Sequence, residues 1–279
     1  MVLLAFTGFI VSLLFRTEIQ AGSADVFSLR DGKSVFYDRM IDDIAKTQVV
    51  FIGETHDRKA HHRFQLDIIR ALQAKKIPIA VGFEMFVDDS QKDLNEWTSR
   101  RLPVEDFLSI YYKNWNFPWP LYEDIFLYIR EYGIPAIALN VNPGIVRKVA
   151  QSGFASLSEE ELAKLPPDTG CAVDEQYMKF IKRAHAMHGH GGKKFIHFCE
   201  AQLLRDQVMA RHILEYLKKN PGRTIVVLTG NGHAWKRGIP EQIRNTSKEA
   251  SFRVLLPYIP GHLDPSVMSA EDADYLLYE

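Results

Sequence analysis

Cysteine is nearly absent from this chain: Cys171 and Cys199 are the two among 279 residues. Two cysteines cannot build a disulfide scaffold, and their spacing of 28 fits no zinc-binding pattern. A bridge is chemically allowed in an exported protein, but two small buried hydrophobes are the commoner arrangement. Basic surplus is missing as well, since 34 Lys and Arg face 35 Asp and Glu for a formal net charge of -1. That balance argues against nucleic acid as a partner, because phosphate binding draws on excess positive charge. No H-E-x-x-H, G-x-S-x-G, G-x-G-x-x-G or phosphate-cradling glycine loop occurs, so the commonest local catalytic and nucleotide signatures are excluded. Long apolar runs are also scarce. The uncharged stretch from Val2 to Phe15 has 14 residues, short for a membrane span and suited to the apolar core of a secretory signal. Residues 1–24 therefore read as a signal-like or anchor segment, with Gly22-Ser23-Ala24 offering small residues for cleavage. A basic start is missing, and no cysteine follows that a bacterial lipoprotein would use for lipidation.

What remains is an ordinary globular composition, 46% hydrophobic and 25% charged, with ample material for a core. Strand and helix signals alternate along it. Short β-branched runs at 48–52, 77–84, 134–139, 224–229 and 252–256 read as buried strands. Helical patterns fill Ser34–Lys46, His61–Ala74, Leu102–Lys113 and Pro120–Tyr132, with Pro143 suited to the first turn of another. Longer helices are expected at roughly 172–188 and 198–219. This order predicts an α/β fold, a mainly parallel β-sheet flanked by helices, in one domain over 25–279 with a helical insertion or subdomain at about 141–221.

Two copies of Gly-x-x-His stand out against that background. Gly53-Glu54-Thr55-His56 follows the first buried strand, and Gly230-Asn231-Gly232-His233 follows the fourth, 177 residues later. Parallel strands deliver their following loops to one edge of the sheet, so the two patterns are expected to share a crevice. Glu84 at the end of the second strand and Asn140 at the end of the third belong to the same predicted edge. On the long helix, Gln202, Arg205 and Asp206 are spaced by three and four, which puts Gln202 on a face with both others. Glu54, His56, Glu84 and His233 suit a divalent transition metal, since imidazole and carboxylate serve Zn, Mn or Fe. Without metal, a His with a Glu partner can act as a general base. A third reading makes the cluster architectural, holding strand ends together.

At these residues the chain resembles the ChaN-like haem-binding uptake proteins, a branch of the Tiki superfamily. The resemblance rests on Phe51–Gln65, Gly82–Met85, Gly133–Asn140, Ala201–Ala210 and Gly230–His233. It implies a protein of the bacterial cell envelope, periplasmic or anchored on the periplasmic side, that acts in haem and iron uptake. Haem is the implied ligand, with a homodimer and outer-membrane uptake machinery as expected partners. Axial-ligand candidates are Tyr111, Tyr112, Tyr122 and Tyr177, with His185, His188 and His190, while Lys193 and Lys194 could hold propionates. The wider superfamily also contains hydrolases with both Gly-x-x-His elements. The alternative is thus a metal-dependent hydrolase of ester or peptide bonds, with Glu54, Glu84 and Arg205 in catalytic roles. The chain's departure from the family pattern, the missing lipidation cysteine, touches the lipid anchor and not export itself.

Overall fold

A computed structural model describes residues 26–185 and 195–278. Eight strands form one sheet in the order β2-β1-β8-β7-β3-β6-β4-β5. They are β1 (Val26–Ser28), β2 (Lys33–Val35), β3 (Val49–Glu54), β4 (Ile79–Val87), β5 (Ala136–Asn140), β6 (Thr224–Gly230), β7 (Phe252–Pro257) and β8 (Tyr275–Leu277). From β8 to β5 all neighbours run parallel, and β1 and β2 add an antiparallel hairpin at one edge. The mainly parallel α/β fold read from the sequence is the observed one.

Strands β3 and β6 are buried at every residue, as expected for parallel strands covered on both faces. Their side chains alternate between two cores. Val50, Ile52, Val226 and Leu228 face one layer, made of α1 (Tyr37–Ile44), α2 (Lys59–Ala74), α3 (Gln91–Thr98), α4 (Val104–Asn114) and α5 (Trp119–Tyr132). Val49, Phe51, Ile225 and Val227 face the other. Between β5 and β6 come α6 (Pro143–Ser152), α7 (Glu159–Leu162), α8 (Glu175–His185) and α9 (Phe195–Lys219), and beyond β6 lie α10 (Asn231–Ala234) and α11 (Ile239–Thr246). Cys199, Leu203, Met209 and Ile213 of α9 lie in the same core as the sheet. The helices of the expected insertion thus supply a covering layer.

Chain direction creates a crevice. From β3 the chain leaves through α2, on one face, to β4; from β6 it leaves through α10 and α11, on the opposite face, to β7. Neighbouring strands whose connections diverge leave a gap at their carboxyl ends, the usual ligand position in an open α/β sheet.

Several local expectations are corrected. The helix expected at Ser34–Lys46 begins later, because Val35 pairs with Val26 in the edge hairpin. Strand β4 runs three residues past Glu84, which therefore lies inside the strand. There the β4–β5 register slips: Phe83 pairs with Ala138 and Val87 with Asn140, a bulge that re-aims the intervening side chains. His233 sits on a one-turn helix.

Candidate functional site

The two Gly-x-x-His patterns meet at the crevice. Strands β3 and β6 are neighbours in register, with Gly53 opposite Thr229 and Glu54 opposite Gly230. Their glycines permit close approach. A Cβ on Gly53 would lie 2.6 Å from the Asn231 side chain, and one on Gly230 would lie 3.0 Å from the His56 ring. The resulting cleft has a volume of about 270 Å³. Glu54, His56, Glu84 and His233 form its floor with Gln202, Arg205 and Asp206 of α9, while Ile181, Phe198, Trp235 and Leu263 give it an apolar side.

Glu54 is buried and meets a donor on every side. His56 Nδ1 (2.8 Å) and the Tyr122 hydroxyl (2.5 Å) reach Oε1. Gln65 Nε2 (2.8 Å) and His62 Nε2 (3.1 Å) reach Oε2. Burial alone would raise this carboxyl's pKa, but hydrogen bonds and charge from His56 and His62 outweigh it and hold the group at about 2. Burial likewise disfavours a charged His56, yet its bond to Glu54 and the nearby Glu84 carboxylate raise its pKa above the usual imidazole range.

Glu84 is the second anchor. Arg205 Nη2 lies 2.5 Å from Oε1, and the Thr229 hydroxyl (2.5 Å) and Gly230 amide (2.6 Å) donate to Oε2. Burial opposes its charge, but His233, Arg205 and His56 together hold it well below the ordinary carboxylate range. Asn140 ties the edge strand in, donating to the Glu84 carbonyl oxygen at 2.7 Å and accepting from Arg205 Nε at 3.3 Å. His233 stands 3.7 Å from Glu84 through Nε2, while its Nδ1 sits 2.6 Å from Asp206. Asp206 also accepts from the Tyr177 hydroxyl at 2.8 Å, and burial raises its pKa against the pull of His233.

The structure thus brings Glu54, His56, Glu84, His233, Arg205 and Gln202 to one cleft, but not as a metal shell. Among the described residues no three His, Cys, Asp or Glu side chains are grouped to hold a metal ion. The donor set explains this, since both carboxylates are saturated by protein donors and Arg205 already supplies the cation Glu84 requires. Two of the haem-ligand candidates lie inside the protein. Tyr122 and Tyr177 are buried with their hydroxyls on Glu54 and Asp206, and burial followed by those carboxylate charges pushes both pKa values up. A tyrosinate is costly in either place, and neither faces the surface. Tyr111 is buried too, donating to the Phe117 carbonyl oxygen. Tyr112 is 51% exposed. His188, His190, Lys193 and Lys194, with the side chain of His185, lie outside the described residues. The cysteines are free thiols.

His62 and Gln65 were not among the residues singled out from sequence, whereas Asp206 was, on the polar face of α9 with Gln202 and Arg205. The signal for the first two was a polar residue at core-facing spacing, since both share the inner stripe of α2 with Leu66 and Ile69.

Comparison with known proteins places this arrangement. Residues 40–243 match the family model described as haem-binding uptake, Tiki superfamily, ChaN. The curated protein RETICULATA-RELATED 5, chloroplastic, of Arabidopsis thaliana is 25% identical over 241 residues, covering 78% of this chain and 32% of that protein. The chain thus spans about a third of that relative's length. Among solved structures, one entitled cofacial heme binding to ChaN of Campylobacter jejuni superposes with a TM-score of 0.70 at 20% identity, covering 90% of this chain and 95% of that one. A mutant of the erythromycin esterase EreC in its open conformation gives 0.51 at 13% identity, covering 83% and 76%. At such identities both likenesses speak to the fold.

Proposed function

This chain belongs to the ChaN family of haem-binding uptake proteins in the Tiki superfamily, and from that premise we propose that it binds haem for iron uptake at the cell envelope. The family match over 40–243 carries the reading. The uncharged run at 2–15 supports an envelope location on the periplasmic side, with a homodimer and outer-membrane machinery as partners. The cleft itself does not fit an iron porphyrin. A Cβ on Gly230 would lie 3.2 Å from His56 Nε2, and His233 Nε2 stands 3.7 Å from Glu84 on the floor, so a macrocycle could not bring its iron to either. Haem therefore belongs on an exposed face, and Tyr112 is the candidate tyrosine that presents one. Titration of haemin into the purified protein should give a saturable Soret shift at micromolar haem, altered in Tyr112→Phe. A linear, unsaturable response would remove the haem reading.

A second reading concerns the cleft, and one observation favours it. His56 and His233 each hold Nδ1 against a buried carboxylate, and Nε2 of His233 stands 3.7 Å from Glu84, which Arg205 engages. A carboxylate on Nδ1 fixes the tautomer that leaves Nε2 free to take or give a proton. We propose that this pair performs acid–base hydrolysis of a small ester, with Arg205 facing developing negative charge. Aryl-ester hydrolysis should survive chelators and fall in both His56→Gln and His233→Gln. Activity that vanishes with chelator would refute the metal-free form.

A further inference from the structure

Gln202 of α9 lines the cleft and is 9% exposed, yet its side-chain amide takes part in no hydrogen bond among the described residues. An amide carries two N–H donors and an oxygen acceptor. Leaving these unpaired in a buried position is costly and rare, and it marks a place where a partner belongs. Both amide atoms stay accessible, in contrast to the enclosed indole nitrogen of Trp235 on the apolar side.

The surroundings restrict what that partner is. Phe198, Gln202 and Asp206 recur every four residues, with Arg205 three on from Gln202, so one face of α9 is turned to the cleft. Its charged members are engaged. Arg205 bonds to Glu84 and Asn140, and Asp206 is held by His233 and Tyr177. Glu54 is met by His56. Charge on the floor is thus answered locally, whereas Gln202 offers a neutral donor and acceptor side by side. One turn before it, Phe198 joins Ile181 and Leu263 in the apolar side. A volume of about 270 Å³ lies just below the range usual for drug-sized ligands, which suits a body of one ring.

We propose that the cleft takes a neutral carboxamide carried on a planar apolar body, and that Gln202 is the residue that selects it. A carboxamide matches the glutamine amide: its N–H donates to Gln202 Oε1 while its oxygen accepts from Gln202 Nε2. An ester or ketone accepts without donating, and leaves Oε1 unpaired. A site built to bond a ligand N–H rejects the analogue lacking it, because its own buried group is then stranded. A carboxylate also lacks the N–H, and it brings a charge to a floor whose ions are already paired. The inference deepens the hydrolytic reading by naming the group a substrate carries beside its scissile ester. It rests on that reading only in taking the cleft as a substrate site.

Calorimetric titration of the full chain with benzamide, acetophenone and benzoate tests it, since the three share a ring and differ in the group on it. Benzamide should bind saturably with an affinity on the order of millimolar, the scale for so few atoms. Acetophenone has a methyl in place of the amide nitrogen, and it and benzoate should each bind about tenfold more weakly. Gln202→Met keeps the length of the side chain and removes its polar atoms. It should weaken benzamide about tenfold and leave acetophenone unchanged, with circular dichroism checking the fold. The wild-type comparison of the three probes stands however that variant folds. Unsaturable heat with benzamide, equal affinity for benzamide and acetophenone, or an unchanged benzamide affinity in folded Gln202→Met would each overturn the proposal. None of the probes is an ester, so the presence or loss of hydrolysis is read separately from this selection.

Discussion

Replacing Glu54 by glutamine tests the logic of the site most directly, because the change keeps the shape and removes one charge. Three donors meet the carboxylate, His56 and Tyr122 on one oxygen and Gln65 on the other, with His62 Nε2 3.1 Å from the second. An amide has one oxygen, so in either orientation its NH2 group confronts at least one of these donors in a dry environment. A buried donor left in that state costs about 1–3 kcal/mol. The lost charge has a separate scale. A carboxyl held at about 2 in the fold instead of 4.5 contributes on the order of 3 kcal/mol at neutral pH. The two contributions overlap, since both count the same donors, and removal of one partner from a buried ion pair costs about 3–5 kcal/mol. Glu54→Gln should therefore lose about 3–5 kcal/mol at pH 7, measured by urea denaturation.

The pH dependence has a definite sign. The folded-state pKa of Glu54 lies below its unfolded value, so its stabilisation is fully present above about 4.5 and fades as pH falls towards 2. The gap between wild type and variant should shrink across that window, because the acidified wild type loses the same charge. A gap below about 1 kcal/mol at pH 7, or one that does not change between pH 5 and 3, would refute the account of Glu54 as an ionised hub.

Other consequences follow from the same geometry. Tyr122→Phe keeps the ring beside His62 but removes the bond to Glu54, and should cost about 1.5–3 kcal/mol in denaturation. The same variant should leave haemin binding unchanged. Gly230→Ala would put a methyl 3.0 Å from the His56 ring, and should cost about 1–3 kcal/mol while shifting the His56 imidazole signals in NMR spectra. His56 has a raised pKa in the fold, so its contribution is present below 6.5 and lost as pH rises through the folded value. Titration by NMR should find its midpoint above 6.5 in the wild type and lower in Glu54→Gln.

The sequence was most informative where local chemistry and topology agree. Five β-branched runs marked the central strands, because a strand buried on both faces has to be apolar throughout. The short strands β1, β2 and β8 were missed: each has three residues, and β1 and β8 pair across the length of the chain, Val26 with Leu277. The strand-end glutamates were legible for the same reason as the strands. The shell around them was not: His62 and Gln65 look like ordinary polar residues on α2 until the helix is laid on β3. Tyr122 was legible only as an aromatic residue with a polar tip, and its use as an internal donor to Glu54 depends on α5 packing beside α2.

The choice of residues at the crevice follows from what its backbone demands. Strands β3 and β6 approach in register, and their chains then part to opposite faces of the sheet. Side chains from one turn must cross over the backbone of the other, and this fixes Gly53 and Gly230, where a Cβ would strike Asn231 and His56. Crossing brings the two histidines within reach of Glu84, a carboxylate that the β4 bulge turns inwards. Two buried carboxylates so close to one another need opposing charge. Arg205 answers for Glu84, and the histidines His56 and His62 answer for Glu54. Each carboxylate of the cluster thus meets its partners within the protein. If Arg205 is the compensating cation, Arg205→Met should destabilise the fold by about 3–5 kcal/mol, and Arg205→Met with Glu84→Leu should recover most of that loss. Additive losses in the double variant would show that the pair is not coupled.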